Sequence, residues 1–585
     1  MKNALALLAL ALAGCGTKDN PSWTPGTPMT VDVSSVFPAG TTLRDQGSGQ
    51  PVTVGAGGTA TLTPDSSGVV LLEKDGAGAT LFTWADATVY FAVTDRFYNG
   101  DPSNDASYGR KKDGNQEVGT WHGGDLKGLT QKLDYIAALG ATAIWISPPV
   151  EQVHGWVGGG GGTFQHYGYH GYWALDFTKL DQNFGTEADL TALVDGAHQR
   201  GIRVLFDVVM NHPGYATGED LLLYAPTVFR DGTGAAYRAF TPTQPKGYDG
   251  WNDLVDYQHP DWIKWWSPGW IRAGIGPTGV YDPAGSTDQT RQLTFLPDFK
   301  TESTAAVSLP PMLATKGVTA IPNATVRDYL VAWHTDWVKR FGIDGFRCDT
   351  SKNVELGSWK ALKTAATTAL QTWKAANPAK KLDDAPFWMT AEVFPHSVVK
   401  DAYFTDGGFD SVINFDFQPA LRGLLTKGAT LAENAADLEA IYAPMAALIS
   451  ADPTFDVLSY LSSHDTSLFF EIVKQDAAKQ RQAGTALLLA PGSAQIFYGD
   501  ESGRAGGPSL NDQVQSTRSD MNWSSQDAAT LAHWQKLGAF RKRHAAIGTG
   551  MHQQLASPGG TYAFSRKLQK GGVDDAVVVV IGRPQ

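Results

Sequence analysis

Four apolar runs of strand length each close on polar residues suited to acid–base or nucleophilic chemistry. They are Asp207 to His212, Asp344 to Asp349, Phe387 to Glu392, and Tyr460 to Asp465. The second sits inside Gly342 to Asn353, where Arg347 and Asp349 share one face of a strand and Cys348 takes the other. A guanidinium beside a carboxylate favours its ionised form. An oriented carboxylate at the C-terminal end of a barrel strand suits a nucleophile. A lone Arg-x-Asp is more often a structural ion pair. Three further carboxylate segments in a consistent order tip the balance to chemistry.

That order resembles the α-amylase family of retaining glycoside hydrolases. The resemblance runs from about Ala87 to the C-terminus, and the stretches Thr94 to Asp105, Gly119 to Tyr135 and His154 to Gly162 extend it. It implies Asp349 as nucleophile, Glu392 as acid/base and Asp465 as the third carboxylate, which holds sugar hydroxyls. The apolar neighbours of Glu392 would raise its pKa, as an acid requires. The resemblance further places His170, Tyr172 and Trp173 at the substrate, with Tyr172 stacking under the sugar. His212 and His464 would hydrogen-bond that sugar, Arg347 would orient Asp349, Lys352 would serve an adjacent subsite, and Arg518 is the arginine near the eighth strand. One position departs: the family has Lys-His where this chain has Lys352-Asn353. Asn353 keeps the backbone carbonyl offered to calcium and changes the side chain on the leaving-group side.

Calcium is the implied cofactor. Its shared site between barrel and lobe maps onto Asn211, Asp298 and the Asn353 carbonyl. A second site resembles the N-terminal calcium loop of cyclodextrin-forming relatives and would use Asn99, Asp101, Asn104, Asp105, Gly123 and Asp125. An ordinary Asn/Asp-rich turn is the alternative there.

The chain has 585 residues, a net charge of −12 and 18% charged residues, so it divides into several domains and is mildly acidic. No basic run marks a nucleic-acid partner. Met1 to Cys15 reads as a targeting segment: Lys2 is the positive end, Ala4 to Ala13 the apolar run, and Leu12 to Cys15 resembles a bacterial lipobox. Lipid on Cys15 would be the only membrane link, and Gly16 after it points to the outer membrane; a plain secretory signal is the alternative. Residues 16–28 form a polar tether. Cys15 and Cys348 are the only cysteines, so a lipidated Cys15 leaves no disulfide, and Cys348 reads as a small buried hydrophobe.

Residues 29–85 alternate in short strands with Gly and Pro turns, a small all-β domain assigned to packing ahead of carbohydrate binding. Residues 86–545 alternate strands with amphipathic helices. Eight strands are expected: Val89–Thr94, Thr142–Ser147, Arg203–Val208, Asp344–Asp349, Phe387–Glu392, Ser411–Asp416, Asp456–Ser462 and Ala494–Gly499. The expected fold is α/β, a (β/α)8 TIM barrel. The stretch after strand 3, about 213–324, is too long for a loop and reads as an inserted lobe. Gly158 to Gly162 reads as a flexible rim loop. Residues 546–585 are expected to form a short, separate C-terminal β domain. The function expected is monomeric endo-hydrolysis of α-1,4-glucosidic bonds in starch, glycogen or maltooligosaccharides. An α-glucosidase or glucanotransferase is the alternative within the family. A non-catalytic glucan-binding lipoprotein is disfavoured because all three carboxylates are present.

Overall fold

The computed structural model describes residues 24–78, 82–234, 255–256, 258–272, 285–426, 430–570 and 572–584. Cys15 and the segment before it lie outside the described residues. Among the described residues no helix is long and apolar enough to cross a membrane.

Eight parallel strands close into a barrel in chain order: Thr88–Ala92, Ala143–Ile146, Arg203–Val208, Gly345–Cys348, Trp388–Ala391, Ser411–Asn414, Val457–Tyr460 and Ser493–Phe497. All eight expected strands form, with ends shifted by two residues or fewer. Each is buried on both faces, one by the barrel interior and one by helices, which is why they read as unbroken apolar runs. The covering helices are amphipathic, as expected. Glu187–Gln199 starts with a capping box between Thr186 and Asp189 and buries Leu190, Leu193, Val194 and Ala197. Val326–Phe341 has the same device in Thr325 and Asp328, buries Tyr329, Leu330, Trp333 and Trp337, and stops at Gly342 in the left-handed conformation.

The insertion after the third strand packs on a tryptophan cluster, Trp262, Trp265, Trp266 and Trp270, all buried. A two-residue strand pair, Ile271–Arg272 with Asp298–Phe299, ties it back toward the barrel. The glycine run, expected as an unpacked rim loop, lies at the rim but within a paired hairpin. Trp156–Gly159 and Phe164–Tyr167 pair as an antiparallel hairpin, with Gly159 opposite Phe164. Gly160, Gly161 and Gly162 all have positive φ and form its turn. A Cβ on Gly159 would stand 2.3 Å from the Phe164 ring, so the absent side chains allow close packing.

The two β segments assigned to separate domains share one six-stranded sheet. Its order is Met551–Leu555, Tyr562–Lys570, Val573–Ile581, Val69–Lys74, Thr42–Asp45 and Pro51–Thr53. Ile581 pairs with Val69 and Val577 with Glu73 at the junction. Val69, Leu71, Val577 and Val579 face the main core, while Val70, Leu72, Val578 and Val580 face a second, smaller one. Strands apolar on both faces need a layer on each side, and neither segment alone supplies two. The join therefore follows from burial.

Candidate active site

Parallel register sets the first step of the site. Arg347 pairs with Thr390 and Cys348 with Ala391 in neighbouring strands. Asp349 and Glu392 are each the next residue, and Glu392 N–H donates to the Cys348 carbonyl at 3.1 Å. The two carboxylates therefore emerge side by side at the C-terminal end of the barrel, where the loops gather.

Arg347 links them. Its Nη1 donates to Asp349 Oδ1 at 2.8 Å and to Asp207 Oδ1 at 3.0 Å, and its Nη2 lies 2.9 Å from Glu392 Oε1. Asp207 also accepts from Tyr172 Oη at 2.7 Å and Trp145 Nε1 at 3.0 Å. Burial pushes the Asp349 carboxyl above its ordinary value, and Arg347 opposes that rise. Glu392 is pushed up to about 7, by burial first and then by the Asp349 and Asp465 charges, against Arg347. Asp465 goes the other way: burial raises it, but His464 Nε2 at 2.9 Å and Arg518 Nη2 at 2.8 Å hold it well below the usual carboxylate range. Its side chain is 46% exposed, so solvent shares in that stabilisation. Environments that push neighbouring carboxyls apart assign an acid and an anion.

A cavity of about 480 Å³ runs over these groups, lined by His170, Tyr172, Trp173, His212, His464 and Arg518 with Asp349 and Asp465. Tyr172 stacks on His464, centroids 5.1 Å apart and planes 7° off parallel. Burial lowers the pKa of His170, His212 and His464, so their rings are neutral hydrogen-bonding groups. Arg518 also donates from Nε to the His464 carbonyl at 3.0 Å.

Two expected substrate residues sit apart. Lys352 Nζ is 3.2 Å from Asp288 Oδ2 of the lobe, and Asn353 Nδ2 donates to the Asp288 carbonyl at 2.6 Å. The position that departs from the family pattern thus spends its amide on the lobe.

The proposed calcium ligands contain buried oxygens in need of a partner. Asn211 Oδ1 and Asp298 Oδ1 have none among the described residues. Their backbones meet through Phe299 N–H and the Asn211 carbonyl at 2.8 Å. Burial pushes Asp298 up to about 7, against Arg272 on its other oxygen. In the N-terminal loop, Asn99 Oδ1 and Asn104 Oδ1 are likewise buried without a partner. Gly123, at φ +95°, leaves room that a Cβ would take, 2.5 Å from Asp105 Oδ1. Oxygen donors lacking protons fit a hard cation. Two residues fit less well: Asp101 turns its carboxylate outward to Ser103 and Lys127, and Asp125 caps the following helix through Gly128 N–H.

A sequence profile described as "Alpha amylase, catalytic domain" matches residues 91–220 and 319–545. The chain belongs to the α-amylase family. The unmatched stretch between the two blocks falls in the inserted lobe. The chain is similar, at 48% identity over 581 residues, to the periplasmic alpha-amylase of Escherichia coli (strain K12), covering 96% of this chain and 82% of that protein. A cyclomaltodextrin glucanotransferase of Niallia circulans is 27% identical over 537 residues, 90% of this chain and 63% of that protein. Among solved structures, the α-amylase of Geobacillus thermoleovorans complexed with acarbose shares the fold, with a TM-score of 0.53 at 23% identity over 84% of this chain and 86% of that one.

Sequence reasoning missed three contributors to this family site. Asp207 opens one of the four polar-ended runs, but its place in that run gave it no role of its own. Trp145 carried no signal. Thr350, with φ +46°, gives its N–H to Glu392 Oε2 at 2.8 Å, a strained backbone at a reacting group.

Proposed function

We propose that this protein is an α-amylase that hydrolyses α-1,4-glucosidic bonds of starch, glycogen or maltooligosaccharides with retention. The observation that carries the reading is the Arg347 link between Asp349 and Glu392, with the second carboxyl raised to about 7. Asp349 attacks the anomeric carbon while Glu392 protonates the departing oxygen. Glu392, now a carboxylate, takes a proton from the water that releases the glycosyl-enzyme. Asp465, held by Arg518 and His464, binds sugar hydroxyls, and Tyr172 offers its ring face to the sugar.

Calcium, when bound, supplies charge at the barrel–lobe junction. Asn211, Asp298 and the Asn353 carbonyl would hold it there, and Asn99, Asn104 and Asp105 would hold a second ion in the N-terminal loop. Export is supported by the periplasmic relative, and Cys15 supplies a lipid attachment point of outer-membrane type.

The decisive experiment is Asp349→Asn assayed on starch with the anomer of the first product followed by NMR. Turnover lost in a folded variant, and an α-product from the wild type, are the expected results; normal hydrolysis by the variant sinks the reading. Product analysis on linear maltooligosaccharides and cyclodextrins separates hydrolysis from glucanotransfer. Chelation should lower Tm, because an ion bound only to the native state stabilises it, and Asp298→Ala should remove most of that response. Mass spectrometry of the mature N-terminus tests the lipid: an unmodified end discards it.

A further inference from the structure

Between Asp349 and the helix Leu356–Ala376 the chain makes a tight turn through Thr350 and Ser351. Thr350 sits in the left-handed region, at φ +46° and ψ +40°. A β-branched residue rarely adopts that backbone, because its Cβ crowds the following carbonyl. Such a conformation persists only where its surroundings hold it. Ser351 supplies the hold. It is fully buried, its Oγ donates to the Cys348 carbonyl at 2.9 Å, and its N–H donates to the Glu392 carbonyl at 3.0 Å. Trp359 Nε1 donates to the Ser351 carbonyl at 3.1 Å. Each polar group of Ser351 is therefore tied to an element outside the turn.

The turn serves the acid. Thr350 N–H donates to Glu392 Oε2 at 2.8 Å, while Arg347 Nη2 stands 2.9 Å from Oε1. Both oxygens of Glu392 thus face donors. A proton on Oε1 would stand against a buried cation, and the neutral amide at Oε2 opposes a proton less, so Oε2 is the oxygen that carries it. When Oε2 gives that proton to the glycosidic oxygen it becomes a carboxylate oxygen, and a hydrogen bond to a charged acceptor is the stronger one. The Thr350 N–H stands in place before the charge forms, which is how a fixed dipole favours a transition state.

Resting on the α-amylase reading, we propose that Thr350 and Ser351 are positioning residues for the acid: Ser351 pins the turn, and the turn aims one N–H at the oxygen that sheds the proton. The charged and titratable groups that also face Glu392 are Arg347, Asp349, Asp465 and Tyr460, and the test leaves all four in place. Replacing the Thr350 amide by an ester, with the α-hydroxy analogue of threonine, deletes the N–H alone. Ser351→Ala frees the turn. In each variant the carboxylate loses a donor and Glu392 holds its proton to higher pH. The alkaline limb of kcat/KM should therefore move up by about one pH unit, the worth of one charge-assisted hydrogen bond. Near the pH optimum, kcat/KM should fall about threefold or more for maltoheptaose, whose departing oxygen needs the proton. It should stay within about twofold for a maltotrioside with a nitrophenolate leaving group, which needs little protonation. Thr350→Gly accepts positive φ and keeps the N–H, so it should restore the limb in the Ser351→Ala background. An unmoved limb, or an equal loss on both substrates, in the folded variants overturns the proposal. A wild-type protein that cleaves neither substrate overturns the α-amylase reading instead.

Discussion

One guanidinium organises the chemistry at the residue scale. Arg347 is buried and touches three carboxylates, so each partner's charge depends on the other two. Glu392 rises from an ordinary 4.5 to about 7, chiefly through burial. The acid form works in catalysis, so kcat/KM should fall as pH rises through about 7. The same shift affects stability. Between about 4.5 and 7 the native state holds a proton that the unfolded chain has lost, so this group's contribution to stability declines as pH rises across that window. Glu392→Gln should lower kcat on starch by about 10²–10⁴. It should also remove about 1–3 kcal/mol of the pH-dependent decline in stability. Urea melts of both proteins at pH 4.5 and 8 check the second effect; parallel pH dependence would show that Glu392 is not the group responsible.

At the scale of elements, the hairpin Trp156–Gly159/Phe164–Tyr167 determines the shape of the cleft rim. Gly160 and Gly161 line the cavity, and Thr163 Oγ1 donates to the Leu510 carbonyl at 2.6 Å. A Cβ on Gly160 would stand 2.1 Å from that same carbonyl oxygen, at a backbone φ of +55°. Gly160→Ala should therefore push the hairpin off the loop, costing about 1–3 kcal/mol. KM for starch should rise more than kcat falls, because Asp349, Glu392 and Asp465 are carried by other elements. Thermal melts and steady-state kinetics on the one variant read both. A variant with wild-type Tm and KM would mean that the contact is not rigid.

For the whole molecule, the shared sheet makes the two ends of the described chain depend on the barrel between them. His544, just past the helix Ala528–Arg543, is fully buried between Glu73 and Asp575, with Nε2 2.5 Å from Glu73 Oε2 and Nδ1 2.8 Å from Asp575 Oδ1. Its carboxylates come from the N-terminal and C-terminal strands of one sheet. His544→Ala leaves two buried carboxylates facing each other and should cost about 3–5 kcal/mol, measured by urea denaturation. Truncation before Met551 removes three strands and uncovers Leu71 and Val69, so the product should aggregate. A soluble, active truncation would restore the two-domain division expected from the sequence.

The sequence alone determined the parts that are local. Eight apolar runs between amphipathic helices specify a parallel barrel because both faces of such a strand must be covered, and a carboxylate at the end of a run marks the barrel's C-terminal rim. The cap at Thr186 is local for the same reason, since a cap acts within one turn. What depends on distant chain was decided only by tertiary structure. Arg347 reaches Asp207 and Glu392 only because parallel register sets their strands side by side. Asn353 turned to the lobe because Asp288 was there to accept its amide. The glycine run became a hairpin because Phe164 and Leu510 fill the space that side chains would occupy. The run Ala576 to Ile581 carried the clearest unread signal: apolar on both faces, it needed a layer on each side, and the partner strand lay some 500 residues earlier in Val69–Lys74.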